Sequence, residues 1–144
     1  MKKIVLFISL CCLTGFVSAK TNPDDIIGVW LSANGQAHLQ IYKEADKYFG
    51  KLVWLKEPNN AKGTPKMDAN NPDEQLRTKP LLGLVILRNF KYDDDEWSGG
   101  RVYDPQNGKD YKCYMKLKDP KTLNVRGYIG FSLLGRTEVW TRVK

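Results

Sequence analysis

The chain has 144 residues, 42% of them hydrophobic and 27% charged, a globular balance that excludes wholesale disorder. One histidine and three cysteines exclude most catalytic triads and zinc clusters. A formal charge of +7, spread without a dense basic cluster, leaves no nucleic-acid footprint.

The chain opens on Met1-Lys2-Lys3, runs through apolar residues from Ile4 to Val17 and reaches the small pair Ser18-Ala19. A basic start, an apolar stretch and a small-residue cleavage point make residues 1–19 a secretory signal peptide, and the apolar run is too short for a comfortable membrane span. Cys11 and Cys12 raise a lipoprotein alternative, but Ile8-Ser9-Leu10 lacks the small residues such a signal carries. Cleavage after Ala19 leaves 20–144 as a single domain and removes Lys2 and Lys3, taking the charge from +7 to +5. It also leaves Cys113 alone, so no intramolecular disulfide supports the fold.

Asn22-Pro23-Asp24-Asp25 predicts a short helical turn, with Asn as cap, Pro at the first position and acids in the first turn. Eight strand-like segments follow: 27–33, 36–43, 47–55, 83–91, 96–104, 109–118, 121–128 and 134–143. Asn34-Gly35 is a two-residue hairpin signal between the first two. In the sixth, Tyr111, Cys113, Met115 and Leu117 share one face while Lys112, Tyr114, Lys116 and Lys118 share the other, the pattern of a half-buried strand. Short connections predict antiparallel neighbours, closed as an up-and-down barrel or stacked as a sandwich. The exception is 56–79, which holds three prolines. Its length predicts a functional or mobile loop, the least ordered part of the domain, with a short helix over Pro72–Arg77 capped by Asn71.

Gly28-Val29-Trp30 in the first strand and Arg142 in the last resemble the lipocalin and calycin pattern, in which a tryptophan plugs one barrel end beneath an arginine. A guanidinium can stack on the indole and bind backbone carbonyls with its donors. Six motifs extend the likeness: Gly28-Val-Trp30, Asp68-Ala-Asn-Asn-Pro-Asp73, Arg77-Thr-Lys-Pro-Leu-Leu-Gly83, Tyr103-Asp-Pro-Gln-Asn-Gly-Lys109, Val125-Arg-Gly-Tyr-Ile-Gly130 and Gly135-Arg-Thr-Glu-Val-Trp-Thr-Arg-Val143. In order and spacing they resemble the bacterial exported family called domain of unknown function 2147. The resemblance implies an all-β, eight-stranded, antiparallel, lipocalin-like barrel in the envelope of a Gram-negative bacterium, periplasmic or secreted. It carries over no activity and no catalytic residue.

The remaining chemistry is sparse. His38 alternates with Ala37 and Leu39 and faces outward, whereas Cys113 is on the apolar face of its strand, so the two form no dyad. The acids Asp93, Asp94, Asp95 and Glu96 form a solvated hairpin tip. Asp68, Asn70 and Asp73 have oxygen ligands at calcium-loop spacing but lack the glycine and distal glutamate of an EF-hand; Asx turns and a cap explain them equally, which leaves cation binding open. Uncharged inner faces predict a lumen lined by Tyr48, Leu52, Trp54, Trp97, Tyr103, Tyr111 and Met115, and a ligand carboxylate or phosphate could pair there with an inward Arg88, Arg101 or Arg126. The expectation is a non-enzymatic exported binder of a small hydrophobic or amphipathic molecule, with no cofactor, metal or nucleic acid. The alternative is an envelope interaction or stress-related module with a solid barrel and a functional 56–79 loop.

Overall fold

Alternating apolar and polar side chains arrange the chain into eight antiparallel strands, each bonded to its neighbours in sequence order, and the last returns to the first to close a barrel. The computed structural model describes residues 20–143; the expected signal peptide at 1–19 lies outside them. The strands are β1 (Gly28–Leu31), β2 (Ala37–Glu44), β3 (Lys47–Leu55), β4 (Val85–Asp93), β5 (Glu96–Asp104), β6 (Lys109–Asp119), β7 (Thr122–Tyr128) and β8 (Gly135–Arg142). Closure leaves the barrel without a long exposed edge, and its inner faces become the core.

A 3-10 turn at Pro23–Ile26 precedes β1, with the expected capping box: the Asp24 amide donates to the Asn22 side chain and the Asn22 amide to Asp25. This turn sits under one barrel end, where Trp97 donates its indole N–H to the Pro23 carbonyl. The other end carries the Asn34-Gly35 turn, the 56–84 connection, the β5–β6 turn and the β7–β8 loop.

Register shifts alter the parity expected from alternation at several places, and two of these bulges bear on the expected lining residues. In β3, Leu39 pairs with Leu52 but its neighbour His38 pairs with Trp54, so Val53 is an extra residue. In β5, Trp97 pairs with Met115 while Gly100 pairs with Cys113, so three steps on β5 match two on β6, and Gly99 takes a φ of +71°. Each bulge turns the residues beyond it to the opposite face.

The 56–79 stretch is a pinned strap rather than a loose loop. Asp68 and Lys79, Leu81 and Lys66, and Lys66 and Pro58 are joined by backbone bonds, and Asp68 is fully buried. The expected helix over Pro72–Arg77 shrinks to one 3-10 turn at Glu74–Leu76, with Asp73 rather than Asn71 as its cap. Asn71 sits one step ahead of it: its side-chain oxygen accepts from the Asp73 amide, its side-chain NH2 donates to Asp68 and its backbone carbonyl accepts from Arg77.

Candidate functional site

The turn-covered end is clasped by Trp30 and Arg142. Trp30 is completely buried and donates its indole N–H to the Ile26 carbonyl at 2.9 Å. The Arg142 guanidinium lies 4.2 Å from the Trp30 ring centroid. It donates to the carbonyls of Asp25, Ile27 and Pro120. One side chain thus ties the last strand, the entry turn and the β6–β7 turn together, a role that suits a rigid five-donor fork. At the same end, Tyr48 donates its hydroxyl to Asp24 at 2.6 Å. Asp24 is held below the usual carboxylate range by that bond and by the Lys43 ammonium.

The lumen is filled by its own side chains. Leu39, Ile41, Tyr48, Leu52, Leu87, Phe90, Trp97, Cys113, Met115, Leu123 and Val125 form one buried cluster. The space left by two inward glycines is occupied: a Cβ on Gly50 would meet Leu87 at 2.7 Å, and one on Gly100 would meet Phe90 at 2.5 Å. The strand glycines therefore admit neighbouring side chains rather than open room for a ligand.

The seven residues expected to line a ligand cavity divide into three groups. Tyr48, Leu52, Trp97 and Met115 face inward and are packed in the core. Tyr111 also faces inward, nearer the strap end, half-buried, and its hydroxyl accepts from Asn107. Trp54 and Tyr103 face outward, because each follows one of the two bulges. Trp54 is 41% exposed and lies over His38 with ring centroids 4.4 Å apart. Tyr103 is covered by the strap and donates to the Asp68 carboxylate at 2.7 Å. Burial and that bond push its hydroxyl up to about 12.

The strap meets the barrel wall through two of the sequence motifs. Asn70 donates its side-chain amide to the carbonyls of Pro105 and Gln106, and Gly108 lies directly under the Asn70 carbonyl. Asp68 accepts from Tyr103 and Asn71, Asp73 from the Gln75 amide. The side chains of Asp68, Asn70 and Asp73 thus address separate partners, with none in common. Among the described residues, no group of three or more His, Cys, Asp or Glu side chains is placed to hold a metal ion. Burial pushes the Cys113 thiol up to about 12, which makes it a poor nucleophile at neutral pH.

Between strap and wall lies a cleft of about 220 Å³. Leu76, Leu84 and Val85 form its apolar side, and Arg88, Asp110 and Tyr103 its polar side. Arg88 grips Asp110 through two bonds of 2.5 and 2.6 Å, and Arg101 approaches the same carboxylate at 3.5 Å. Two guanidiniums share one carboxylate, while the cleft lining itself sets Arg88 among the carboxylates of Asp68 and Asp110. The sequence offers Arg88 and Arg101 as ligand partners only if they face inward, and the register sets both on the outer wall with Lys112. Nothing in the sequence places Leu76 or Asp110 beside them, since their proximity depends on how the strap docks.

The model of a family described as an uncharacterized protein conserved in bacteria, domain of unknown function 2147, matches residues 28–142. The chain belongs to this family. Its match begins at the Gly-x-Trp strand and ends at the clasp arginine, so it spans every strand of the barrel. Among solved structures, protein HP1028 from Helicobacter pylori, described as belonging to the lipocalin family, superposes with a TM-score of 0.71 at 19% identity, covering 82% of each chain. At that identity the likeness concerns the fold: an eight-stranded, lipocalin-like barrel. No curated protein matches the chain. No described helix is long and apolar enough to cross a membrane.

Proposed function

We propose that the protein is a non-enzymatic, exported binding protein that holds one small amphipathic molecule, and that the molecule sits under the strap rather than in the lumen. The observation that carries this reading is the two-sided cleft, with leucine and valine opposite the Tyr103 side chain and the Asp110-bonded Arg88 guanidinium. Such a surface matches an apolar body with a polar head that hydrogen-bonds to the guanidinium. The cleft is smaller than the ~300 Å³ at which ordinary small-molecule sites begin. The ligand is therefore small, or the strap lifts to admit more of it. Occupation of the lumen would instead require core side chains such as Phe90 and Leu87 to move.

Displacement of a fluorescent fatty-acid analogue tests the proposal. Leu76 is 40% exposed, so Leu76→Asp should leave the fold intact. It should weaken probe binding about tenfold by placing a charge on the cleft's apolar side, against the probe's apolar body. Trp54→Ala, on the far side of a bulge, should bind as the parent does. Equal affinity in parent and Leu76→Asp would remove the cleft from the site.

The filled core favours a second reading, in which the barrel is a rigid platform and the strap contacts another protein. Absence of any probe binding, with no added mass on the protein in native mass spectrometry, would select it.

A further inference from the structure

The β7–β8 loop is the most apolar exposed part of the described chain. Ile129, Phe131, Leu133 and Leu134 are 65%, 78%, 89% and 71% exposed. Between Arg126 and Arg136 there is no charged residue at all. Four large apolar side chains exposed within six residues of one loop are the kind of feature that marks an interaction surface.

The surroundings of the tip are basic. The strand register sets Arg88 opposite Arg101, Arg101 opposite Lys112, and Lys112 opposite Tyr128, the residue just before the loop. This row crosses the outer wall from the foot of the tip on β7 to β4. With Arg126 and Arg136 it makes five cations. The carboxylates bonded to them are Asp110 and Glu138, so three positive charges are uncompensated.

The loop also satisfies its own backbone. Ile129 donates to the Leu134 carbonyl and Leu134 to the Phe131 carbonyl. Arg126 reaches up to the carbonyls of Ser132 and Leu133. An apolar medium penalises unpaired peptide groups, and here several of those groups are already paired before any such medium is met. A protein partner would need a groove shaped to this tip; a bilayer surface accepts a convex wedge without one.

We infer that the 129–134 tip is a membrane-surface anchor, which seats its four apolar side chains among the headgroups of an anionic bilayer while the basic row contacts lipid phosphates. Arginines flanking an apolar segment suit that depth, because their stems lie along apolar surface while their heads reach the phosphates. The four apolar tip residues and Lys112 lie outside the strap cleft, so the inference does not depend on occupation of that cleft.

Co-sedimentation with vesicles tests it. The protein should pellet with vesicles of phosphatidylglycerol and phosphatidylethanolamine and far less with phosphatidylcholine alone. The double variant Phe131→Ser, Leu133→Ser alters only exposed side chains and should lower the partition coefficient about tenfold or more. Lys112→Gln should weaken binding to the anionic vesicles only, and added salt should mimic it. Failure of the parent to bind anionic vesicles, or equal binding by the double variant, overturns the inference. So does a parent that self-associates through the tip, seen as a larger species that the double variant abolishes, without vesicle binding. None of these results bears on probe displacement at Leu76.

Discussion

Tyr103 has an ordinary place in the sequence, near the end of a strand, yet it becomes a buried donor because a bulge turns it outward and the strap then covers it. Its hydroxyl titrates at about 12 in the folded protein, against about 10 for an exposed tyrosine. The folded state therefore holds this proton more tightly than the unfolded chain does. The stability it supplies is complete below about pH 10 and is lost as the pH rises from there through about 12. Urea unfolding midpoints across that range should fall more steeply for the parent than for Tyr103→Phe. Tyrosinate absorbance should show one late-titrating hydroxyl fewer in the variant.

The strap is the element on which sequence and structure differ most. Its length and prolines predict the least ordered segment, and neither property reveals what it can dock on. The docking surface is the β5–β6 turn, thirty-five residues away from Asn70 along the chain. The signal was present in another form, since 68–73 and 103–109 both belong to the family pattern, but a motif says that residues matter without saying that they touch. The strands were legible because alternation depends only on which face is wet. Their bulges were only partly so: the Gly99-Gly100 doublet hints at one, while Val53 carries no mark. Simple alternation therefore turns Trp54 and Tyr103 inward, whereas the bulges turn both outward. Gly108 tests the docking. Its φ is +70°, and an added Cβ would lie 1.9 Å from the Asn70 carbonyl oxygen. Gly108→Ala should cost about 1–3 kcal/mol in backbone strain alone. It should also release the strap, so that limited proteolysis nicks 56–79 first in the variant while the parent resists there.

At the scale of the whole molecule, the core of the barrel depends on closure, and Cys113 reports on it. The thiol is 1% exposed and is the one cysteine among the described residues. A thiol reagent should label it only when the barrel opens. Trp30→Ala removes a fully buried indole from the clasped end and should lower stability by about 3–5 kcal/mol. Under conditions where reclosing outpaces labelling, Cys113 should then react faster by the factor that this loss implies. Unchanged labelling would mean that β6 opens locally, without the rest of the barrel.

The seam between the chain's two ends is short. β1 and β8 share two register pairs, Trp30 with Arg142 and Leu31 with Thr141, whereas β7 and β8 share seven. Every other seam joins strands adjacent in sequence; this one joins residues more than a hundred positions apart. Loop-closure entropy makes such a contact costly to form early, so a sheet of hairpins assembles first and rolls shut last. The Arg142 bonds to Asp25 and Ile27 are then absent from the transition state for folding, and interactions absent there act on the reverse rate. The clasp governs how long the barrel stays shut, while the hairpins govern how quickly it forms.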